Sequence, residues 1–169
     1  MQFILSSVYN RSSMTEMAKV LRKTVRRKHS RRSHIFGVIV MLLGLLLLLK
    51  NFAMDIRTAV NVTAILAILL AMLFEDRLNG YFAEKRLLVG TENAVTVFTE
   101  TGFASETTVG KTEWNYDMIA VIAETKDRFV FVFSANHAQL YDKRSIEGGT
   151  PEEFAAFLEM LTEKKIIKV

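Results

Sequence analysis

The stretch IFGVIVMLLGLLLLL, residues 35–49, and its neighbour TAVNVTAILAILLAMLF, residues 58–74, decide the architecture of this chain. The first carries no charge and no strongly polar side chain. At 1.5 Å per residue it covers about 22 Å, short of the roughly 30 Å of a bilayer core. Extension through Phe52, Ala53 and Met54 supplies the rest. Lys50 then falls near the end of the span, its stem in lipid and its ammonium among headgroups. The second run starts just after Arg57 and stops at Glu75-Asp76-Arg77, with Asn61 as its one strongly polar side chain, at interface depth. Two adjacent helices that are apolar all round have no face for water. The pair therefore reads as a transmembrane hairpin over residues 35–74, with spans 35–54 and 58–74 and a tight antiparallel return around 51–57. Gly37 and Gly44 share one face of the first helix, and Ala64, Ala67 and Ala71 share one of the second. Small faces let backbones approach in lipid, so these two are expected to meet.

Charge is distributed unevenly. Residues 1–34 hold nine Lys/Arg against Glu16 alone, whereas residues 75–169 hold eleven against sixteen Asp/Glu. Basic residues orient membrane helices. Eight of them, from Lys19 to Arg32, precede the first span, and Arg77, Lys85 and Arg86 follow the second. The return offers only Lys50 and Arg57. Both termini are thus expected on the cytoplasmic side. A cleaved signal peptide does not fit: the apolar run begins 34 residues in and no small-residue cleavage site follows it. The chain has no cysteine, which excludes a disulfide, a thiol nucleophile and a Cys-type zinc site.

Ahead of the hairpin, residues 2–9 read as a short strand with Phe3, Leu5 and Val8 available for burial. Ser13 looks like an N-cap, closed by Glu16. One basic amphipathic helix is expected from Met14 toward Ser33, with Met14, Met17, Ala18, Leu21 and Val25 as its stripe. Its bases, Arg22, Lys23, Arg26, Arg27, Lys28, Arg31 and Arg32, are candidate anionic-lipid contacts. The stripe could equally pack on the acidic C-terminal region, and nucleic acid is the weakest partner because no base-reading pattern accompanies the charge. Residues 75–87 read as a helical extension or linker. From residue 88 the period changes to two, with short strands near 94–99, 103–109, 111–114, 118–124, 128–133 and 138–142, an antiparallel sheet or small barrel. Gly148-Gly149 ends the sheet. Thr150, Pro151 and Glu153 then start a C-terminal helix with Phe154, Phe157, Leu158 and Leu161 on one face. The fold class is α+β: strand and basic helix (1–34), hairpin (35–74), linker (75–87) and a small β domain capped by a helix (88–169).

This order of parts resembles the YcxB-like family of bacterial membrane proteins. The resemblance is carried by Trp114-Asn115-Tyr116, by Ala123-Glu124-Thr125-Lys126-Asp127, by Tyr141-Asp142-Lys143-Arg144 and by the helix start TPEEFAAFL at 150–158. It implies a pleckstrin-homology-like β domain in a bacterial inner-membrane protein. In such a fold, basic residues near strand turns can line a headgroup or partner pocket. Here those residues are Lys126, Arg128, Lys143 and Arg144, for which ordinary solvated charge is the simpler reading.

No catalytic constellation, metal set or cofactor motif is expected. His29, His34 and His137 lack metal-ligand spacing, and His137 with Asp142 reads as surface-loop chemistry rather than a catalytic pair. Gly148-Gly149 before a helix is a poor anion site, because Glu152 and Glu153 oppose it. The expected function is non-enzymatic: a membrane protein whose β domain binds a protein partner or a second copy of itself. Sensing of anionic lipid through the basic helix is the alternative.

Overall fold

A computed structural model of the chain describes residues 2–50 and 55–169. The expected end of the first span at residues 51–54 lies outside the described residues. The elements run β1 (Phe3–Val8), α1 (Arg11–Lys23), α2 (Arg27–Lys50), α3 (Ile56–Leu73), α4 (Glu75–Lys85), β2 (Asn93–Phe98), β3 (Phe103–Thr107), β4 (Gly110–Trp114), β5 (Val121–Glu124), β6 (Arg128–Ser134), β7 (His137–Asp142), α5 (Pro151–Thr162) and β8 (Ile167–Lys168).

Two four-stranded sheets form the α+β body, one in the order β1-β2-β3-β4 and the other β7-β6-β5-β8. β1 pairs antiparallel with β2, Phe3 opposite Phe98. It also reaches the far end of the domain, where Ile4 and Glu147 exchange backbone hydrogen bonds of 3.1 and 2.9 Å. The N-terminal strand is therefore a member of the C-terminal domain's sheet, although the whole hairpin intervenes in sequence. A division at residue 34 separates segments that fold as one body. In β1, Phe3, Leu5 and Ser7 point inward, not Val8, which is exposed. The buried Ser7 hydroxyl donates to the Leu140 carbonyl.

Between the sheets lies an aromatic core. Phe98 sits 4.9–5.7 Å, centroid to centroid, from Phe103, Phe131, Tyr141 and Phe154. α5 closes it with Phe154, Phe157 and Leu158. This helix starts as its sequence dictates: the Thr150 side chain accepts from Glu153 N, the Glu153 side chain accepts from Thr150 N, and Pro151 opens the first turn. β6 is buried on both faces because a second layer covers its outer side. There Val130 and Val132 pack with Ala123 and Leu140 beneath Val20 and Leu21 of α1.

That layer settles where the N-terminal stripe goes. Met14, Ala18, Val20 and Leu21 of α1 are buried, so the helix lies on the domain. It is also not one helix to Ser33. It begins earlier, capped by Asn10, whose side chain accepts from Ser13 N while Ser13 bonds back, and it ends at Lys23. Thr24 and Val25 are both β-branched and poor helix continuers, and the Thr24 hydroxyl takes the Val20 carbonyl at 2.7 Å. Val25 ends up exposed. After this turn α2 runs unbroken from Arg27, so half of the basic cluster belongs to the same helix as the apolar run.

α2 and α3 are each long and apolar enough to cross a membrane, and neither is buried inside the protein: 11 % of the first window and none of the second is covered. Their contact differs from the expected meeting of glycines with alanines. Gly37 faces Ile68 and Met72, and Gly44 faces Asn61 and Ile65, so the glycine slots receive long side chains spaced at helical intervals. Ala64 and Ala67 stay exposed. Asn61, near the start of α3, turns toward the other helix. Its amide donates to the Gly44 carbonyl at 3.0 Å, across the hairpin. α4 then folds back along α1, and Gly80 makes the approach possible: a Cβ there would lie 2.6 Å from the Thr15 amide nitrogen.

Candidate functional site

The ends of α1, α3 and α4 and the start of α2 converge at the foot of the hairpin, where the chain places its densest polar contacts. Glu75 and Asp76 follow the apolar run directly and supply acid to the first turn of α4. Arg22, in the last turn of α1, grips Asp76 with two hydrogen bonds of 2.7 Å. That contact, with Glu75 nearby, raises the guanidinium above its usual range against the opposing effect of burial. Glu75 accepts from the Ser30 hydroxyl at 2.9 Å and sits 2.8 Å from the His34 ring nitrogen. Arg26, in the turn between α1 and α2, donates to the Ala135 carbonyl at 2.5 Å and the Asn136 side chain at 2.9 Å, in the β6–β7 turn. Charge-assisted bonds of this kind are the stronger class. Together they lash hairpin and β domain to each other through side chains.

The seven basic candidates therefore separate into two groups. Arg22 and Arg26 are structural clamps. Lys23, Arg27, Lys28, Arg31 and Arg32 are exposed and form no ion pair among the described residues. Arg27 and Arg31, one turn apart, line a groove of 780 Å³ with Lys23 and the clamped Arg22, and Ile167 and Lys168 of β8 with Val169 complete its wall. Lys28 and Arg32 lie off this groove. No acidic side chain lines it, and the first turn of α2 contains none either.

The second candidate set does not gather into a pocket of free cations. Arg128 pairs with Glu16 of α1. Lys143 donates to Glu124 at 2.6 Å and to the Thr125 carbonyl at 2.8 Å, and lies over the Phe129 ring. Arg144 binds Asp142 through two bonds of 2.7 and 3.0 Å, which hold the Asp142 carboxyl below its usual range. Of the four, Lys126 alone is exposed without an ion pair among the described residues.

The structure holds His137 and Asp142 apart. His137 opens β7 and Asp142 closes it, about 17 Å apart at strand rise. The His137 ring packs against Trp114 and Phe133 at 5.2 and 4.9 Å, and desolvation there lowers its pKa. Burial pushes the pKa of the Tyr116 and Tyr141 phenols upward, away from ionisation at neutral pH. No group of three metal-ligating side chains comes together among the described residues.

Sequence reading missed four members of the site: Ser30 and His34, Glu75, and Lys168. A signal existed for the first pair. Ser30 and His34 stand four apart, on one helical face, just before the first apolar run, and the second apolar run ends in two acids. Nothing local marks Lys168, which reaches the groove because β8 pairs in parallel with β5, Glu124 opposite Lys168. No curated protein matches the chain. Residues 98–161, from the end of β2 to the last turn of α5, match the family model described as YcxB-like protein.

Proposed function

We propose that this is a non-enzymatic protein of the bacterial inner membrane. The hairpin crosses the bilayer, both ends lie in the cytoplasm, and the α+β body is a pleckstrin-homology-like docking module for a protein partner. The topology is supported by Arg27, Lys28, Arg31 and Arg32 before the apolar part of α2 and by Arg77 and Lys85 after α3, against Lys50 and Arg57 at the return. The kind of fold is supported by two antiparallel-dominated sheets enclosing one core that α5 closes.

The observation that carries the docking reading is the open edge at β4. This strand is terminal in its sheet, and Gly110 to Glu113 are exposed. The Thr107–Gly110 connection is a two-residue turn, which makes those two flanking residues a hydrogen-bonded pair. By the alternation of antiparallel ladders, Lys111 and Glu113 then aim their backbone groups away from β3. An extended segment of a partner can add there as a fifth strand. Its side chains would meet a groove of 550 Å³ floored by Val95, Val97 and Ala104.

The test is affinity purification of the full-length tagged chain from its native membrane in mild detergent, with Glu113→Pro and Glu113→Ala beside the wild type. Proline removes an outward N–H at an edge position without breaking the β3–β4 ladder. A stoichiometric protein that stays with wild type and Glu113→Ala and disappears with Glu113→Pro is the expected result. Absence of any such protein, or its retention by the proline variant, would contradict the reading.

A further inference from the structure

We propose that the groove at the foot of α2 binds one anionic phospholipid, its headgroup among Lys23, Arg27, Arg31 and Lys168 and its upper acyl chain along Ile35, Val38 and Ile39. This rests on the hairpin crossing the bilayer and is independent of partner docking at β4.

Four features converge on it. First, all four cations line a single cavity of 780 Å³, together with the clamped Arg22, Ser30, His34 and Val169 and with no Asp or Glu side chain in its wall, and none of the four has an ion pair among the described residues. Arg22, at the edge of the same groove, is by contrast taken up by Asp76, as Arg128, Lys143 and Arg144 are by carboxylates of their own. Second, Arg27 and Arg31 stand in the first two turns of α2, where no acid occupies the first turn. The positive end of the helix dipole adds to their field, and like charges there destabilise the helix unless an anion offsets them. Third, the same face of α2 changes character along its length. Arg27 and Arg31 give way to Ile35, Val38 and Ile39, which are 52, 42 and 49 % exposed. From Arg27 to Ile39 is about 18 Å, a phosphate level followed by an acyl level in the order a bilayer lipid presents them. Fourth, the opposite wall is not part of the helix. Ile167 and Lys168 repeat the pairing of one apolar and one basic side chain from β8. A polybasic helix acting through its general field has no need of a second wall.

The apolar half of the groove selects a lipid over a soluble phosphate or an acidic peptide. It continues into the exposed face of a helix long enough to span the membrane, where a diacyl chain is already present and a peptide is not.

The measurement uses the full chain reconstituted in bilayers of phosphatidylcholine at physiological salt, with trace spin-labelled phosphatidylglycerol or phosphatidylcholine. The readout is the relative association of the two probes with the protein. Wild type should favour phosphatidylglycerol by about tenfold, the scale that a few cations near a membrane surface supply. The double variant Arg27→Gln/Arg31→Gln should fall to within about twofold of no preference. The matched control Lys28→Gln/Arg32→Gln removes the same charge from the same helix, off the groove, and should retain most of the preference. Lys168→Gln should lose part of it. Glu113→Pro should leave it intact, which separates this site from the docking edge. Equal loss in both double variants, an unchanged Lys168→Gln, or no preference in wild type would overturn the proposal. So would abolition of the preference by millimolar glycerol phosphate, which would make the site a headgroup pocket alone. Loss of a co-purifying protein instead of lipid on Arg27→Gln/Arg31→Gln would assign the groove to a protein partner and overturn it as well.

Discussion

The hairpin and the β domain are both rich in apolar residues, and they use them in opposite ways. In the β domain thirteen core residues from β1 to α5 bury one another, Phe98 and Phe131 completely. In the hairpin the leucines point outward: Leu46, Leu47 and Leu49 are exposed, and only Gly37 and Gly44 of the apolar part of α2 are buried. The first region makes its own apolar environment by excluding water. The second leaves that environment to be supplied from outside and spends its specific contacts on two glycine slots and one amide. Stability in one is a matter of volume, and in the other of close approach.

The largest expected effect breaks the first half of this contrast. Phe98→Ala removes a ring that touches four others, and such truncations cost about 3–5 kcal/mol. The near-ultraviolet circular dichroism of the full chain in detergent should collapse at much lower denaturant, while far-ultraviolet helicity from α2 and α3 persists. Simultaneous loss of both signals would show that the hairpin depends on the core, contrary to the division drawn above.

Next is Gly44→Leu. A Cβ at that position already meets Asn61 Oδ1 and Ile65 Cδ1 at 3.0 Å, and overpacking of this kind costs about 1–3 kcal/mol. Ala64→Leu, on an exposed face, is the control. Titration with dodecyl sulfate in mixed micelles should unfold the hairpin of Gly44→Leu earlier and leave Ala64→Leu unchanged. Parallel behaviour would mean that the glycine face does not carry the helix contact.

The sequence made the apolar spans, the two-residue period of the strands and the capping box of α5 readable, because each depends on residues within a few positions of one another. Less accessible was anything that depends on distant pairing. Residues 2–9 read as a strand, but nothing near them says that Phe3 will stand opposite Phe98, some ninety residues later. The basic helix read as continuous because Arg26 and Arg27 are good helix formers, and the break at Thr24 is favoured only once α1 has the surface of β6 to lie on. The glycine face of α2 was legible, whereas its partner face was not. Small residues are one way to achieve close packing, and seating Ile65 and Met72 in the slots that glycines leave is another. The basic cluster advertised itself. Its division into clamps and free cations required Asp76, Ala135 and Lys168, which no local pattern attaches to it.

The joint between the two regions should contribute less than either. Arg22 and Asp76 form a bidentate pair at the water-accessible margin, where solvent screens the attraction, so a coupling energy of about 1 kcal/mol is expected from the double-mutant cycle Arg22→Ala, Asp76→Ala. Denaturant unfolding followed through the β domain should show that coupling, and limited proteolysis should cut sooner at the exposed Lys85 and Arg86 in each single variant. A coupling near zero would assign the docking of hairpin on domain to apolar contact between α1 and α4 alone.

The smallest effect is confined to the β domain and depends on pH. Burial against Trp114 and Phe133 lowers the pKa of His137 below the ordinary histidine value of 6.5. Between the lowered folded value and 6.5 the unfolded chain therefore binds more protons, and stability rises with pH across that window. Acidification from pH 7 toward pH 5 should lower the unfolding midpoint of the wild type, and His137→Gln should show a shallower decline over the same range. Every other titratable group is common to both proteins, so the difference between the two curves isolates His137. Asp142 has the same sign for a different reason: Arg144 holds its carboxylate ionised, and the stability that it adds is present above the unfolded carboxyl value of 3.8 and lost as pH falls through the lower folded one. The two groups thus begin to act at different points, His137 as pH falls below 6.5 and Asp142 as it falls below 3.8. Equal slopes for wild type and His137→Gln between pH 7 and 5 would mean that the ring keeps its water despite Trp114 and Phe133, and would leave Asp142 as the acid-sensitive element of this sheet.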